Sequence, residues 1–379
     1  MDPSTKADFI SDFCAAQQAV RHGISAGRAR STSTTWTIWE TFTINLGIDP
    51  FLQAIEDPVP ILQVFAQRIR SGKLAANGNP VRARSAEDYL RFVAQTFLSV
   101  GSPDPRLNSS GKTDFRLLRM IRSWKREDPP PNRVKPVPVQ VIRRIAFIAS
   151  FATHPLIMCT SDMILLAFFF LLRPGEYTDG SNRDTNSQPF LFSSAQLFIG
   201  PRRLNFATAT DAELLAATFG SLTFDNQKNG VRGEVIGLST SGDPIVCPVR
   251  AIARRIIHLR ASGAPTTAPL ARCYHNNKTH KVTSSLITST LRASVRFLGH
   301  ELGFLESDIS ARCLRAAGAN ALLLAKVDSD IIRLIGRWRS DEMLRYLHVQ
   351  AAPLMAQYSR RMLEAGTYTL IPNQTVPMR

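Results

Sequence analysis

Arg126-Glu-Asp-Pro-Pro-Pro-Asn-Arg-Val-Lys-Pro-Val-Pro138 divides the sequence, because five of its last ten residues are proline. Proline fixes φ and lacks a backbone N–H, so this segment cannot be helical and favours an extended connector. A chain of 379 residues also exceeds the size at which one hydrophobic core usually stops growing. The sequence therefore predicts two domains, residues 1–126 and 139–379, joined by a proline-rich linker over residues 127–138.

Before the linker, four segments carry apolar residues at intervals of three and four, the spacing of one helix face. Gly, Pro and Asn separate them, as expected of turns. The segments are Thr35–Leu46, Val59–Ser71, Ala86–Val100 and Thr113–Lys125. We expect a small helical domain in which Trp36 and Trp39 belong to the core.

Most of the sequence after the linker also has helical periodicity. The predicted helices are Val139–Ala152, Ser161–Leu172, Ala251–Ala261, Ser284–Leu302, Leu314–Ala325 and Ser329–Ile335. Two β-prone runs, Ser221–Phe224 and Val231–Leu238, flank a turn that ends in Asn-Gly, which is typical of a β-hairpin. Lys228 lies on this turn. The predicted fold class is mainly α with a small β-sheet (α+β).

The composition is strongly basic. Lys and Arg number 46 against 30 Asp and Glu, giving a formal charge of +16 and a pI near 10.3. Both sides of the linker carry an excess of basic residues. This balance is expected of a protein that meets a polyanion, and nucleic acid is the leading candidate. A solvated basic surface is the alternative.

The cysteines are widely spaced, with neither a CxxC pair nor a Cys/His spacing suited to zinc. They are Cys14, Cys159, Cys247, Cys273 and Cys313. We expect reduced thiols. The apolar run Met163–Leu172 is too short for the roughly 20 residues that span a bilayer, and the N-terminus lacks the pattern of a secretory signal. The sequence predicts an intracellular protein without membrane contact, nuclear if the host is eukaryotic.

Leu171-Leu-Arg-Pro-Gly-Glu-Tyr177 places Arg173 at the end of a very apolar helix, with Glu176 three residues later. A guanidinium offers a rigid fork of donors to two phosphate oxygens, and Glu176 can hold that fork from behind. Taken alone, the pair could instead be a structural ion pair that ends a helix.

Two further segments contain clustered arginines: Ser310-Ala-Arg-Cys-Leu-Arg-Ala-Ala-Gly-Ala319 and Leu334-Ile-Gly-Arg-Trp-Arg-Ser-Asp-Glu-Met-Leu-Arg-Tyr-Leu-His348. Asp328 can cap the helix that leads into the second segment, and Gly336 can end it. A short helix then presents Tyr346 near basic side chains.

In this order, the motifs resemble those of the tyrosine recombinase (phage integrase) family, particularly eukaryotic transposon-borne members with a Gly-Arg-Trp-Arg-Ser-Asp block. The family pattern is an Arg followed by Glu or Asp, a β-hairpin Lys, a His-x-x-Arg box, a His or Trp, and then a Tyr. The matching elements span residues 173–346. The resemblance implies a helical core-binding domain that clamps DNA, followed by a catalytic domain.

By this resemblance, Arg173, Lys228 and Arg315 hold the scissile phosphate and Tyr346 is the nucleophile. Tyr358 also lies near basic residues, but its spacing fits the family poorly. Attack by Tyr346 would give a 3′-phosphotyrosyl bond and a free 5′-hydroxyl, with Lys228 as general acid. Because Arg and Lys take the charge-stabilising part that Mg²⁺ plays elsewhere, no metal, ATP or other cofactor is expected.

The sequence departs from the family pattern at two places. Arg312 stands at the position of the commoner His, and with a pKa above ~12 it can donate hydrogen bonds but cannot act as a base. No residue is therefore assigned as acceptor of the tyrosine proton. At the His/Trp position the family spacing favours Arg337 and the residue type favours Trp338, so both are retained.

The expected partner is double-stranded DNA. Candidates for backbone phosphate contacts lie beside predicted helix starts, and an ordinary solvated surface is almost as good an account of them. They are Arg28, Arg30, Arg82 and Arg84. After Tyr346, the segment Ala351–Ala365 carries an apolar stripe. By resemblance this tail docks on a neighbouring protomer in a homotetramer on two duplexes; the alternative is that it folds back on its own domain.

The sequence thus predicts a site-specific recombinase of a mobile element, acting in integration or excision. Two alternatives remain open. One is a catalytically inactive DNA-binding remnant, in which substitutions such as Arg312 have removed cleavage. The other is a type IB topoisomerase-like enzyme that uses the same residues without pairing two duplexes.

Overall fold

The computed structural model of the chain describes residues 2–24, 26–75, 77–129, 135–180, 188–225, 232–338 and 358–369. Two compact units are present, Met1–Asn132 and Arg133–Arg379, hereafter unit 1 and unit 2. Each has its own hydrophobic core. The predicted fold class is confirmed, since helices predominate and the strands form small antiparallel sheets.

In the described part of unit 1, the secondary-structure elements are helices joined by turns and loops. Its helices are α1 (Pro3–His22), α2 (Ala26–Ile44), α3 (Val59–Arg70), α4 (Ala83–Ser99) and α5 (Phe115–Glu127). Helices α2 to α5 enclose a core in which Trp39 meets Phe65 edge-on, with ring centroids 5.0 Å apart. The Trp39 indole N–H donates to the Pro50 carbonyl at 2.9 Å, and Trp36 packs partly buried against the same core. Both tryptophans are core residues, as predicted.

Helix α1 was not predicted from the sequence. It begins after Asp2, whose carboxylate accepts a hydrogen bond from the Thr5 N–H, and Pro3 suits its first position because a proline there forfeits no helical hydrogen bond. Its apolar side chains Phe9 and Phe13 are exposed. The helix therefore adds little to the core of unit 1.

The described helices of unit 2 are arranged around one of their number, α7 (Pro155–Phe169), which is almost completely buried. They are α6 (Val139–Ser150), α7 (Pro155–Phe169), α8 (Pro174–Tyr177), α9 (Asp211–Leu215), α10 (Pro248–Ala261), α11 (Ser284–Leu302), α12 (Cys313–Leu324), α13 (Ser329–Gly336) and α14 (Tyr358–Ala365). Every residue of α7 from Cys159 to Phe169 is buried. A helix that is apolar on all sides must be enclosed on all sides, so α7 is the centre of the unit, and α6, α10, α11 and α12 pack around it.

The strands of unit 2 form two antiparallel sheets. They are β1 (Ala195–Ile199), β2 (Arg202–Arg203), β3 (Phe219–Phe224), β4 (Glu234–Ser239), β5 (Arg272–His275) and β6 (Lys278–Lys281). The larger sheet has the order β2-β1-β3-β4, and Phe224 pairs with Glu234 at the end where β3 and β4 meet. The predicted pairing of the two β-prone runs is confirmed, whereas β1, β2, β5 and β6 were not predicted.

The described part of the predicted exchange tail packs on its own unit. In α14, Tyr358, Met362 and Leu363 are buried, and the Ser359 hydroxyl donates to the Ser239 carbonyl at 2.7 Å. The Gly366 carbonyl, just after α14, accepts a hydrogen bond from the first residue of α6 at 3.0 Å. The described residues of the stripe thus pack within unit 2, as in the alternative in which the tail folds back on its own domain. Docking of the tail on a neighbouring copy stays a prediction. The segment 351–357 lies outside the described residues.

Within the described ranges, no helix combines the length and apolar character needed to cross a membrane.

Candidate active site

The site is built where the buried helix α7 ends. The apolar run ends because Leu171 adopts a left-handed conformation, with φ 53°, and Pro174 cannot continue a helix through its missing N–H. Arg173 is thereby the first polar side chain to leave the core, and its side chain is 22% exposed. The sharp turn also leaves the Leu171 carbonyl available to other elements of the unit.

Glu176 holds Arg173 through both carboxylate oxygens. Oε2 accepts the Arg173 backbone N–H at 2.7 Å, and Oε1 accepts Arg173 Nη1 at 3.0 Å. Glu176 is 2% exposed. A buried carboxylate is stable only when it is paired and hydrogen-bonded, and α8 places this one directly beneath Arg173.

Arg337 joins the same carboxylate from α13. Its Nη2 donates to Glu176 Oε2 at 2.9 Å and its Nη1 donates to the Phe170 carbonyl at 3.1 Å. The guanidinium also stacks on the Phe224 ring, 3.9 Å from the ring centroid. The Arg337 side chain is 1% exposed, so it is enclosed by the ends of α7, α8 and β3. Its Nε donates no hydrogen bond within the described part of the chain.

Arg315 reaches the cluster from α12. Its Nη1 donates to the Leu171 carbonyl at 2.9 Å, and its Nη2 donates to the Gly336 carbonyl. Its guanidinium faces the Trp338 ring at 4.6 Å. The helix can come this close to α7 because of Gly318, where a Cβ atom would lie only 2.0 Å from the Phe168 carbonyl oxygen.

Burial and mutual repulsion oppose the positive charges of this arginine cluster (Arg173, Arg315 and Arg337). Burial, followed by the charges of Arg337 and Arg173, lowers the pKa of Arg315 to about 9. Burial also lowers the pKa of Arg337 to about 10, a shift that Arg173 adds to and Glu176 and Glu234 oppose. Among the described residues, three guanidinium groups and two carboxylates, Glu176 and Glu234, thus act on one another. A bound anion would relieve the mutual repulsion of the guanidinium groups.

The cluster opens on the side of Arg173 and Trp338, which is 36% exposed. Five of the predicted site residues meet there: Arg173, Glu176, Arg315, Arg337 and Trp338. Arg337 and Trp338 take different positions, since Arg337 is enclosed against Glu176 while Trp338 lies over Arg315. Only Trp338 of the two is accessible to a ligand.

Arg312 is exposed, just before α12. The backbone beside it is fixed at both ends, because the Ala311 N–H donates to Thr288 Oγ1 at 3.0 Å and the Ala311 carbonyl accepts from the Tyr177 hydroxyl at 2.8 Å. Tyr358 is buried in α14, and burial raises the pKa of its phenol. Lys228 and Tyr346 lie outside the described residues.

The four arginines predicted to touch DNA are exposed on unit 1. Arg28 Nε donates to Gln95 Oε1 at 3.3 Å, and Arg82 precedes the first residue of α4. Arg30 and Arg84 lie on α2 and α4. The unit 1 surface also carries exposed basic residues on α5, which are not among the four predicted DNA contacts.

Two residues that position the arginine cluster were not predicted from the sequence, Leu171 through its backbone carbonyl and Gly318 through its lack of a side chain. The Leu171 carbonyl accepts from both Arg315 and Arg337, at 2.9 and 3.4 Å, and no sequence pattern marks it. Gly318 could have been suspected, since Ala316-Ala-Gly-Ala319 is a run of small residues on the helix that carries Arg315. Among the described residues, no group of His, Cys, Asp and Glu is arranged to hold a metal ion.

No family model matches the sequence, and no curated protein matches it. Among solved structures, the chain is similar to the integrase from mycobacterium phage Brujita, with 16% sequence identity and a TM-score of 0.34. The alignment covers 97% of this chain and 95% of that chain. The assignment of a function therefore rests on the geometry of the arginine cluster.

Proposed function

We propose that the chain is a site-specific recombinase that cuts and rejoins duplex DNA through a 3′-phosphotyrosyl intermediate. The observation that carries the proposal is the convergence of three arginines on the buried Glu176 carboxylate and the end of α7. A partly desolvated site in which, among the described residues, three guanidinium groups lie around one buried carboxylate suits a phosphodiester as reacting group. The net charge of +16 favours the same substrate class.

In the proposed reaction, the Tyr346 hydroxyl releases its proton to solvent water, its oxygen attacks phosphorus, and the bond from phosphorus to the 5′ oxygen breaks. Arg173 and Arg315 stabilise the charge on the non-bridging oxygens, and Lys228 gives a proton to the leaving 5′ oxygen. In the reverse step a 5′-hydroxyl attacks the phosphotyrosyl bond and Tyr346 leaves. Fixed Arg and Lys charges carry the stabilisation, so the proposal assigns no role to Mg²⁺ or ATP.

Arg337 and Trp338 have different roles in this proposal. Arg337 is a positioning residue, because its guanidinium is enclosed and bonded to Glu176 and to backbone carbonyls. Trp338 stacks on Arg315 and limits the directions in which that guanidinium can turn. Arg312, exposed beside the cluster, donates hydrogen bonds to the same phosphate.

The proposal extends to the assembly that acts on DNA. Exchange between two sites breaks strands in two duplexes, so we place four copies of the chain on two duplexes, in integration or excision of a mobile element. The arginines of unit 1 contact the phosphate backbone and leave sequence readout to other groups. These are Arg28, Arg30, Arg82 and Arg84.

The decisive experiment uses nicked suicide substrates made from the ends of the element that encodes the chain. We expect a covalent protein–DNA adduct in the wild-type chain and in Tyr358→Phe, and none in Tyr346→Phe, which should bind DNA normally. Arg173→Ala and Arg315→Ala should each slow adduct formation by roughly 10²–10³-fold, by analogy with the loss of one oxyanion-hole donor. Adduct formation should persist in EDTA.

Other outcomes would overturn parts of the proposal. DNA binding without any adduct would favour an inactive DNA-binding remnant. Relaxation of supercoiled plasmid without strand exchange between duplexes would favour a topoisomerase of type IB. A strict requirement for Mg²⁺ would contradict the proposed chemistry.

A further inference from the structure

The outward face of α5 is basic and carries no acidic residue. Leu117, Ile121 and Trp124 are buried, so at 3.6 residues per turn the opposite face presents Phe115 and a row of arginines. The row is Arg119, Arg122 and Arg126, all exposed. We call these three the α5 stripe. The one acidic residue of α5, Glu127, lies on its flank at the last position.

Basic residues on the flanks of α5 differ from the stripe because each is paired within unit 1. Arg116 forms salt bridges with Asp57 at 2.6 Å and with Asp114 at 3.0 Å. Lys125 forms one with Glu87 at 2.8 Å. By contrast, none of the α5 stripe arginines forms a salt bridge within the described ranges of the chain. Unit 1 thus neutralises the flanks of this helix and leaves the stripe uncompensated.

Stabilisation of the helix itself does not account for the stripe. A cation in the last turn interacts favourably with the helix dipole, which accounts for Arg126. Arg119 and Arg122 lie in the middle of the helix, where this effect is absent. The ring of Phe115, 63% exposed, is 5.9 Å from the Arg119 guanidinium. An exposed aromatic ring beside uncompensated arginines is a surface suited to an external partner.

We propose that the α5 stripe is a second DNA-contacting surface of unit 1, in addition to Arg28, Arg30, Arg82 and Arg84. This inference rests on the proposed function in that the partner is duplex DNA. From Arg119 to Arg126 the stripe spans about 10.5 Å of helix. Duplex DNA carries one phosphate per ~1.7 Å of its axis, so about six phosphates lie within this length. The stripe contacts the backbone and contributes affinity rather than sequence preference.

The test compares two triple variants of the full chain that lose the same charge. The stripe variant is Arg119→Gln, Arg122→Gln and Arg126→Gln. The control variant is Arg91→Gln, Arg116→Gln and Lys125→Gln, whose side chains are paired with carboxylates of unit 1. Binding to a duplex of random sequence is measured by fluorescence anisotropy over a salt series, and thermal unfolding checks that both variants fold.

We expect the stripe variant to reduce the slope of log K against log salt by up to about 2.7, or ~0.9 for each lost phosphate contact. Its affinity at low salt should fall on the order of 100-fold, and the control variant should lose only a few-fold. Equal losses of DNA affinity in the two variants would mean that only net charge matters. A stripe variant with unchanged affinity and salt slope would mean that the stripe does not contact DNA. Either result overturns the inference.

Adduct formation separates this inference from the proposed function. At saturating suicide substrate the stripe variant should form adduct at the wild-type rate, because α5 is not part of the arginine cluster. Adduct formation with an unchanged salt slope would overturn the α5 surface and leave the proposed function standing. A reduced slope with no adduct in any variant would leave the surface standing and overturn the chemistry.

Discussion

Arg337 adopts a backbone conformation that usually belongs to glycine. It follows α13 with φ 57°, and the Trp338 N–H donates to the Arg333 carbonyl, which completes the turn that ends the helix. A side chain in this conformation costs roughly 1–2 kcal/mol. The cost is offset by the hydrogen bonds of its guanidinium to Glu176 and to the end of α7. The strained residue therefore connects α13 to the arginine cluster.

The variant Arg337→Gly distinguishes the contribution of the backbone conformation from that of the side chain at this position. Glycine suits the turn, so the helix end should be preserved, but Glu176 loses one of its two cationic partners. We expect adduct formation to fall by at least ~10²-fold with little change in DNA affinity, because a misplaced Arg173 lowers the rate rather than the binding. Arg337→Lys keeps the charge without the fork and should recover part of the rate. Full activity in Arg337→Gly would contradict the positioning role.

Gly318→Ala tests the close approach of α12 to α7. A Cβ atom there would lie 2.0 Å from the Phe168 carbonyl oxygen, so the two helices must separate and carry Arg315 with them. We expect a loss of about 1–3 kcal/mol in the free energy of unfolding, as in other overpacked cores, together with slower adduct formation. Gly27→Ala is the matched control, because nothing lies within 4 Å of its added Cβ. It should be neutral or stabilising by up to ~1 kcal/mol.

These residues show what local sequence can predict about the site. Glu176 and Arg173 are three positions apart at a helix end, so their proximity follows from chain geometry. Arg337 lies 161 positions from Glu176, and its approach depends on how α13 packs against α7. The left-handed position that ends a helix is usually occupied by glycine, so the sequence pointed to Gly336. In the structure Arg337, one residue later, takes this conformation. Spacing favoured Arg337 for the His/Trp position and residue type favoured Trp338. Neither criterion indicates which of the two side chains is buried.

At the scale of elements, apolar periodicity predicted most helices but not their partners. Ser284–Leu302 has the predicted bounds, because its buried face repeats regularly. Strands β5 and β6, four residues each, are too short to show a pattern. The stripe in the tail had the right period for a packed helix, but the period does not say which surface the helix covers.

The packing of α14 predicts that the tail supports the fold of unit 2. Met362 is fully buried, so Met362→Ala should lower the free energy of unfolding by about 2–5 kcal/mol. Deletion after Gln350 removes the whole helix and should leave unit 2 unfolded, since domains have only about 5–15 kcal/mol of stability. Chemical denaturation measures both. Arg360→Ala, 71% exposed on the same helix, is the control and should cost at most ~0.5 kcal/mol. If the truncated chain were as stable as the full chain, α14 would not be needed for the fold of unit 2, which would favour a tail that docks on a neighbouring copy.

At the scale of the whole molecule, the positive charge lies in different environments in the two units. On unit 1 it lies on exposed helices, where salt screens it within about 10 Å at 0.1 M ionic strength. In the arginine cluster of unit 2 it is partly buried, and screening is weaker. DNA affinity should therefore depend steeply on salt, whereas the stabilisation of a phosphate within the cluster should depend on geometry.

This difference predicts that inorganic phosphate stabilises unit 2 selectively. Burial and mutual repulsion lower the pKa of Arg315 to about 9 and that of Arg337 to about 10, so at neutral pH both remain charged in an environment that opposes their charge. An anion that binds the folded cluster and not the unfolded chain raises stability by RT ln(1 + [L]/Kd), about 2.7 kcal/mol at 100 times Kd. Calorimetry should show the transition of unit 2 moving to higher temperature in phosphate, relative to chloride at equal ionic strength. The double variant Arg173→Gln and Arg315→Gln should lose this shift, and the variant of the α5 stripe should keep it. An equal shift of both units would mean a general salt effect and would contradict an anion site in the cluster.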